Sequence, residues 1–393
     1  MCIVKSREGS AYEMKAEMTG DRTKRKSDIE LLRIVAAFGV IILHYNNPSI
    51  GGGYKAVADG SVNQFIMTIF EAAFICAVNL YVLISGYFMK ASTKRDLLKP
   101  VKLIAQFAVI ELLFYLIKEV PKAEGFSLAV FMRYFTPSYW FVFVYIALYL
   151  ISPYVNLVWN RLEDKGKRRL LYIVLGLFSV YPILCEVLTK LSEAGIWGAD
   201  MVGVYGLSQG VSTIGLFGSG AGYTIVNFVI MYLIGCFIKE KEEVLADIKN
   251  SRLVVLLAAN VAAILAWTYA EKALTGNALC TTTGWNYENP LVITEAVLFF
   301  LLFTNMPIKH GKAINRLAAA SFPSYLIHMN LLEYIHIEIF VKANPFFLIL
   351  HMIGSTMAIY LMSFVINELY EDAAGPIFKA ISKRWRNRFY TVP

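Results

Sequence analysis

Apolar runs long enough to cross a lipid bilayer recur along almost the entire chain. A helix needs about 17–25 residues to span the roughly 30 Å hydrocarbon layer of a membrane. Ten runs of about this length lie near residues 29–46, 63–89, 101–119, 138–159, 169–190, 221–238, 252–270, 290–306, 317–338 and 345–367. The sequence therefore predicts an all-α, polytopic integral membrane bundle of about ten transmembrane helices.

The composition and the placement of charge agree with a membrane protein. Apolar and aromatic residues make up 57% of the 393 residues and charged residues 17%, a balance typical of polytopic membrane proteins and not of soluble domains. The net charge of +8 comes mainly from Lys and Arg in the loops and ends on one side of the predicted bundle. Because such residues accumulate on the cytoplasmic side, we expect a plasma-membrane protein with both termini cytoplasmic and no nucleic-acid partner.

The polar ends of the chain lie outside the predicted bundle. Residues 1–26 lack the apolar core and cleavage site of a signal peptide, so we expect a flexible cytoplasmic segment there. Residues 27–370 are expected to form one transmembrane domain, and residues 371–393 a basic cytoplasmic tail. The five cysteines are scattered, without metal-ligand spacing or a disulfide framework, and no metal is expected.

The first predicted helix carries three ionisable residues that an ordinary membrane helix lacks. Glu30 and Arg33 are one turn apart near its start, and His44 lies near its end. At about 100° and 1.5 Å per residue, Arg33 and His44 are about 20° apart around the helix and roughly 16 Å apart along it. Ionisable residues in spanning helices usually face the bundle interior and serve a function. Alternatively, Arg33 extends to the membrane interface beside Glu30, and His44 caps the outer helix end.

Four predicted helices carry motifs that occur together, and in the same order, in one enzyme family. The motifs are ELLRIVAAFGVIILH in the first helix, NLYVLISGYF in the second, YWFVFVYIALYLISP in the fourth and SFPSYLIH in the ninth. In this set the chain resembles the membrane acyltransferase-3 family, polytopic enzymes that O-acylate sugars and other cell-envelope components. The resemblance implies an O-acyltransferase that uses a cytosolic acyl-CoA, expected to be acetyl-CoA, as co-substrate.

The resemblance also implies a donor site in the loop that follows the second helix. The family usually has an Arg-x-x-Arg pair near a proline there, as the expected phosphate site, and this chain has Lys99-Pro100-Val101-Lys102. Lysine binds phosphate as a point charge without the bidentate fork of arginine, so Arg95 is a further candidate. The small residues Ser85 and Gly86 let either the donor or a neighbouring helix come close. Alternatively, the loop is one more basic cytoplasmic loop.

His44 is the predicted catalytic residue. Its unperturbed pKa lies near neutrality, so it can remove the proton of an attacking hydroxyl or carry the acyl group as an acyl-imidazole, and both routes stay open. Arg33 is expected either to steer the donor phosphates or to hold Glu30. His328, in the ninth helix, is a second catalytic candidate, and Ser324 shares its helix face as a substrate-binding candidate. The alternative for His328 is a packed histidine bonded to a serine.

Three further residues are candidates for binding the acceptor. Glu71 is expected at the depth of His44, where it would orient the imidazole or the acceptor hydroxyl. Tyr139 and Trp140 begin the fourth helix at the outer interface, either as a ledge on which a sugar can stack or as ordinary interface anchors. Two outer loops are either mobile parts of the site or mere connectors: 47–62, which contains Gly51-Gly52-Gly53, and 191–220, which would gate the site.

The sequence thus predicts a membrane acyltransferase that moves an acyl group, expected to be acetyl, to a hydroxyl of an extracytoplasmic carbohydrate or lipid-linked glycan. The alternative is a transporter or flippase for a glycolipid or small solute, because ten spans and intramembrane charges also suit a carrier. Carriers commonly contain paired repeats with interrupted helices, and none is evident. A sensor or partner subunit with a degenerate site is a third alternative, against which the presence of both histidines counts.

Overall fold

The computed structural model describes residues 26–122, 125–135, 139–196, 220–385 and 390–391. In chain order its helices are α1 Ser27–Asn46, α2 Gly53–Ala56, α3 Val62–Phe74, α4 Ala77–Met89, α5 Leu98–Lys118, α6 Leu128–Phe135, α7 Trp140–Arg161, α8 Asp164–Leu175, α9 Tyr181–Glu193, α10 Ile225–Glu240, α11 Glu242–Ala246, α12 Asn250–Thr275, α13 Pro290–Thr304, α14 Lys312–Leu317, α15 Ser321–Leu332, α16 Ile337–Phe340 and α17 Pro345–Trp385. A short antiparallel pair joins β1 Arg95–Asp96 to β2 Tyr390–Thr391. Most of the predicted gating loop, 191–220, lies outside the described residues.

Seven of the described helical segments are long and apolar enough to cross a membrane. They are Val62–Met89, Leu98–Lys122, Trp140–Arg161, Asp164–Glu193, Asn250–Thr275, Thr283–Thr304 and Pro345–Arg384. The other three predicted spans are also helical, as α1, α10 and α15, but α10 has only 16 residues and α15 only 12. The all-α membrane bundle is therefore confirmed, whereas the described helices support seven spans rather than ten.

The helix α1 lies at the centre of the bundle. It contacts α3, α4, α13, α14, α15 and α17. Its buried apolar residues include Ile29, Leu32, Ala36, Val40 and Ile41. Other helices therefore cover most of α1, and of its ionisable residues Glu30 is buried whereas Arg33 and His44 are partly exposed.

The second predicted span is two helices, α3 and α4, which meet at a turn, and α4 packs closely on α10. A Cβ atom on Gly86 would lie 2.0 Å from the backbone oxygen of Tyr232, and one on Gly235 would lie 2.2 Å from that of Leu83. Small residues of this kind let two helix backbones approach each other. The prediction that Gly86 admits the acyl donor is therefore corrected, because the space beside it is filled by α10.

The turn after α1 is closed against the helix that precedes it. The helix stops before Pro48, which cannot continue it, and the Asn47 side-chain oxygen accepts a hydrogen bond from the amide of Ser49 over 2.8 Å. The amide of Gly51 donates to the backbone oxygen of His44 over 2.9 Å, and a Cβ atom on Gly51 would lie only 2.6 Å from that oxygen. The glycine run thus forms a compact turn that is hydrogen-bonded to the end of α1.

One carboxylate joins three helices at the end of the bundle where α1 begins. Glu242 Oε1 lies 2.6 Å from Lys26 Nζ, its Oε2 lies 2.5 Å from Lys239 Nζ, and the Tyr87 hydroxyl donates to Oε1 over 2.6 Å. Partial burial raises the pKa of the Glu242 carboxyl, but the hydrogen bonds from these three side chains outweigh that effect and lower the pKa to about 2. At neutral pH the ionised carboxylate therefore connects the start of α1 to α4, α10 and α11.

Candidate active site

Two histidines from different helices meet in the interior of the bundle. His44 lies in the last turn of α1, and His328 lies in α15. Their rings are within 8° of parallel with centroids 4.6 Å apart, and His44 Nδ1 is within hydrogen-bonding distance of His328 Nε2. His328 is completely buried, whereas part of the His44 ring is accessible. The two residues that sequence reasoning singled out separately thus form one pair.

The hydrogen bonds of His328 assign the tautomers of this pair. His328 Nδ1 lies 2.9 Å from the backbone oxygen of Ser324. A carbonyl oxygen can only accept, so Nδ1 carries the proton and Nε2 of the neutral ring is an acceptor. His44 Nδ1 then donates to His328 Nε2, which leaves the lone pair of His44 Nε2 unprotonated. The pair therefore holds His44 in the tautomer whose Nε2 can act as a base.

The ion pair predicted from the spacing at the start of α1 is present. Arg33 Nη1 lies 2.9 Å from Glu30 Oε1, with the side chains 32% and 7% exposed, respectively. The guanidinium also lies over the ring of Phe88, 5.8 Å from its centroid. Glu30 is buried, whereas its partner Arg33 is partly exposed. The positive guanidinium of Arg33 therefore lies at the surface of a neighbouring cavity.

A cavity of about 280 Å³ opens beside this ion pair. We call it the Arg33 cavity, and its polar lining includes Glu30, Arg33, Tyr81, Ser85, Lys99 and Tyr145. The Ser85 hydroxyl donates to the backbone oxygen of Tyr81 over 2.8 Å and lies 3.3 Å from the hydroxyl of Tyr145. The ammonium of Lys99 lies 5.8 Å from the centre of the Tyr145 ring. Cationic and hydroxyl groups therefore line one side of a largely apolar space.

A second cavity, of about 540 Å³, lies towards the other end of α1. We call it the Tyr139 cavity, and its lining includes Ser49, Glu111, Lys118, Tyr139, Met329 and Asn330. Lys118 Nζ donates to Asn330 Oδ1 over 2.8 Å and lies 2.6 Å from Glu333 Oε2. This cavity is the more polar of the two and contains charges of both signs.

Along the chain, each histidine of the pair lies between residues that line the two cavities, and neither histidine is itself a lining residue. Along α1 and the turn that follows it, Val40 lines the Arg33 cavity and Ser49 lines the Tyr139 cavity, with His44 between them. The same order is found in α15 around His328. Tyr325, before it, lines the Arg33 cavity, and Met329, after it, lines the Tyr139 cavity. The cavities thus adjoin the helices of the pair on opposite sides of His44 and His328 along the chain.

Two of the three cations predicted to bind the donor do not line the Arg33 cavity. Arg95 is buried, and its guanidinium donates to Ser152 Oγ over 2.9 Å and to two backbone oxygens of its own loop over 3.0 Å. Its donors therefore hold the loop against α7, and the prediction that it binds phosphate is corrected. Lys102 is exposed, with Nζ 5.5 Å from the centre of the Phe378 ring. Of the three predicted cations, Lys99 alone is among the cavity's lining residues.

Glu71 and Ser324 also act differently from the prediction. Glu71 Oε2 accepts a hydrogen bond from Asn46 Nδ2 over 2.8 Å, so this buried carboxylate holds the end of α1 and does not orient the imidazole of His44. The Ser324 hydroxyl donates to a carbonyl oxygen one turn earlier in α15. It is the backbone oxygen of Ser324 that contacts His328. In this structure both side chains are thus bonded to protein groups, and neither lines the Arg33 cavity or the Tyr139 cavity.

The two predicted aromatic residues of the fourth span have different environments. Tyr139 lines the Tyr139 cavity and donates its hydroxyl proton to the backbone oxygen of Leu326 over 2.9 Å. Trp140 packs against Tyr223, with ring centroids 4.7 Å apart, and is not among the lining residues of either cavity. Only Tyr139 is therefore in a position to contact a molecule in this cavity.

Sequence reasoning missed three tyrosines of the Arg33 cavity. Tyr81 donates to the backbone oxygen of Arg33 over 3.0 Å, and Tyr145 and Tyr325 also line the cavity. A signal was available for Tyr81, which lies four residues before Ser85 and therefore shares its helix face. Tyr325 similarly lies three residues before His328. Helix-face spacing from the predicted site residues would have included both.

The fold and the comparison with known families together define a multi-pass membrane acyltransferase. A family model described as an acyltransferase domain matches residues 26–368, which is most of the chain. The chain therefore belongs to the acyltransferase-3 family, and the resemblance found in its motifs is confirmed. Comparison with curated proteins and with solved structures finds no significant match.

Proposed function

We propose that this acyltransferase moves an acyl group, with acetyl as the expected one, from cytosolic acyl-CoA to a hydroxyl of an extracytoplasmic carbohydrate or lipid-linked glycan. The observation that carries the proposal is the hydrogen-bonded pair of His44 and His328, each of which lies along the chain between residues that line two cavities. A base between two binding spaces suits a reaction whose donor and acceptor come from opposite sides of a membrane. The protein would act in the plasma membrane of a cell with an envelope glycan.

The proposed topology has ten spans and both termini in the cytoplasm. It adds α1, α10 and α15 to the seven segments that are long and apolar enough to cross alone. These three helices are among the better buried ones, so protein and not lipid would cover much of their surface. The excess of Lys and Arg supports this orientation, in which the Lys26 end of the bundle, and with it the Arg33 cavity, would be on the cytoplasmic side.

The Arg33 cavity suits the acyl and pantetheine part of the donor. Its volume of about 280 Å³ is at or below the lower end of the roughly 300–1,000 Å³ typical of sites for drug-sized ligands. The nucleotide would therefore remain at the mouth of the cavity, where Lys99 can attract its phosphates as a point charge. The apolar lining would hold the arm, and the hydroxyls of Ser85 and Tyr145 can bond to its amides.

The proposed reaction is attack of an acceptor hydroxyl on the thioester. His44 Nε2 takes the proton of the hydroxyl as its oxygen forms a bond to the thioester carbonyl carbon, and the bond between carbon and sulfur then breaks. The proton passes from the imidazolium to the CoA thiolate, which leaves as the thiol. General base catalysis of this kind typically contributes about 10²–10⁴ in rate. His328 would stabilise the imidazolium through its Nε2 acceptor.

A second route through the same atoms uses His44 Nε2 as the nucleophile. The nitrogen would bond to the acyl carbon and release CoA, and the acceptor hydroxyl would then attack the acyl-imidazole and restore the ring. Acid quench and mass spectrometry of protein mixed with acetyl-CoA alone distinguishes the routes, because only this one leaves a transient acetyl group on His44.

Transfer of label from acetyl-CoA to envelope glycan tests the proposed function. Protein in nanodiscs is expected to label the glycan, and His44→Ala is expected to abolish labelling without loss of membrane insertion. The matched control is His336→Ala, because His336 is an exposed histidine that bonds only to Glu338 among its described neighbours. Full labelling by His44→Ala would exclude both routes. Solute flux without any labelling would favour the transporter instead.

A further inference from the structure

Glu111 is a buried carboxylate that the reaction described above does not use. It lies in α5, its side chain lines the Tyr139 cavity, and the residue is only 4% exposed. Among the residues that the structure describes, no hydrogen-bond donor serves its Oε1. A buried carboxylate oxygen without a donor is costly. A molecule that enters the cavity and brings a donor would remove this cost.

The polar side chains around Glu111 are already engaged with one another. The Tyr139 hydroxyl lies within reach of Glu111 and 2.9 Å from the backbone oxygen of Leu326, and its single proton can serve only one of these two acceptors. Lys118 donates to Asn330 over 2.8 Å and pairs with Glu333. None of these contacts satisfies Glu111 Oε1, so Glu111 keeps an unused acceptor in a side chain that lines the cavity.

The charges of the cavity indicate what kind of molecule fits. Among the residues that the structure describes, three cations and three carboxylates line it, namely Lys118, Lys122, Arg133, Glu111, Glu119 and Glu333. A phosphate or carboxylate ligand would meet the carboxylates, and an ammonium ligand would meet the cations, so neither sign is favoured. A neutral molecule with several hydroxyl groups can donate to Glu111 and accept from the cations at the same time.

We propose that the Tyr139 cavity is the acceptor site and that Glu111 positions the acceptor by accepting hydrogen bonds from hydroxyls of a neutral sugar unit. This inference rests on the proposed function, which requires an acceptor hydroxyl near His44. Met329 follows His328 directly and lines the same cavity, so this cavity reaches the residue next to the histidine pair. The volume of about 540 Å³ is within the roughly 300–1,000 Å³ of ordinary small-molecule sites.

The experiment measures binding and transfer separately, with a methyl glycoside as the probe. Binding to the protein in nanodiscs is followed by saturation-transfer NMR, with empty nanodiscs as the blank, and transfer is followed by acetylation of the same glycoside. Glu111→Gln is expected to weaken glycoside binding and to raise the acceptor KM by roughly tenfold to a hundredfold, since a hydrogen bond to a charged group is lost. The kcat and the KM for acetyl-CoA should change little.

The controls separate a binding role from a structural one. Glu338→Gln alters an exposed carboxylate outside the lining of the cavity, and it should leave all parameters unchanged. Glu111→Asp keeps the charge and should retain more affinity than Glu111→Gln, whereas a merely structural role would lower the melting temperature without changing the acceptor KM.

Three results would overturn the inference. The first is that Glu111→Gln and the unaltered protein bind the glycoside with equal affinity. The second is that the unaltered protein does not bind the glycoside. The third is that a glycosyl phosphate or an amino sugar binds more tightly than the neutral glycoside. A glycoside that binds through Glu111 but never receives acetyl from acetyl-CoA would contradict the proposed function and leave the assignment of the cavity intact.

Discussion

Replacement of His328 separates the orienting role of this residue from direct participation in the reaction. His328→Phe keeps a flat ring of similar size but removes Nε2, the acceptor of the His44 Nδ1 proton. His328→Gln supplies an amide oxygen that can accept that proton. If His328 works by fixing the tautomer of His44, the two substitutions should have very different effects on kcat.

The hydrogen-bond geometry sets the size of the effect. In His328→Phe the Nδ1–H of His44 has no acceptor, which costs about 1–3 kcal/mol in a buried site. The ring can relieve this cost by moving its proton to Nε2, which removes the base. At about 1.4 kcal/mol per factor of ten, the base-competent tautomer becomes roughly five- to 150-fold rarer, and kcat should fall accordingly. The upper bound on the loss is the contribution of general base catalysis itself, about 10²–10⁴.

The assay is release of CoA thiol at saturating acetyl-CoA and acceptor, with protein in nanodiscs. The kcat of His328→Phe should fall while the KM for acetyl-CoA is retained, and His328→Gln should recover most of the lost activity. Full kcat in His328→Phe would refute the orientation argument. Equal loss in both variants would show instead that His328 itself exchanges a proton during the reaction.

Three further predictions follow from contacts on α1 and its surroundings. Gly51→Ala adds a Cβ atom 2.6 Å from the backbone oxygen of His44. It should therefore lower kcat while equilibrium binding of acetyl-CoA is unchanged. An unaltered kcat would contradict the conclusion that this turn holds the end of α1. Arg33→Lys should keep partial activity, because one hydrogen bond holds Glu30, whereas Arg33→Ala leaves a buried carboxylate unpaired and should lower the melting temperature. Glu242→Gln should lower the melting temperature at neutral pH. Because the folded protein lowers the pKa of this carboxyl from 4.5 to about 2, its ionised form is the stabilising one, and the difference between the proteins should shrink as the pH falls below about 4.5; a difference that grows on acidification would refute the assignment.

The helices could be predicted from the sequence because a bilayer permits few structures. A spanning segment must satisfy its backbone hydrogen bonds internally, so long apolar runs such as 252–270 and 345–367 indicate helices directly. The spacing of Glu30 and Arg33 similarly predicted their ion pair, since side chains three apart in a helix are neighbours. The prediction of a spanning helix is less accurate for the run 317–338. Its helix α15 has only 12 residues, because contacts with other parts of the protein also determine where it begins and ends.

The contacts between distant segments could not be predicted in the same way. The bond between His44 and His328 joins residues 284 positions apart, and only the packing of α1 against α15 brings them together. Arg95 was predicted to bind phosphate from its charge and position, but its hydrogen bonds to α7 depend on where that helix lies. Gly86 was likewise ambiguous, because a small residue admits a ligand or a helix, and only the position of α10 decides.

The most direct test of the account uses vesicles in which every protein molecule has the same orientation. Labelled acetyl-CoA is supplied on the Lys26 side, and a glycan acceptor is enclosed on the opposite side. If the histidine pair joins two opposed sites, the glycan becomes acetylated, CoA stays on the Lys26 side, and His44→Ala stops the reaction. Acetylation only when donor and acceptor share one side, or unchanged acetylation by His44→Ala, would contradict a histidine pair that joins two opposed sites.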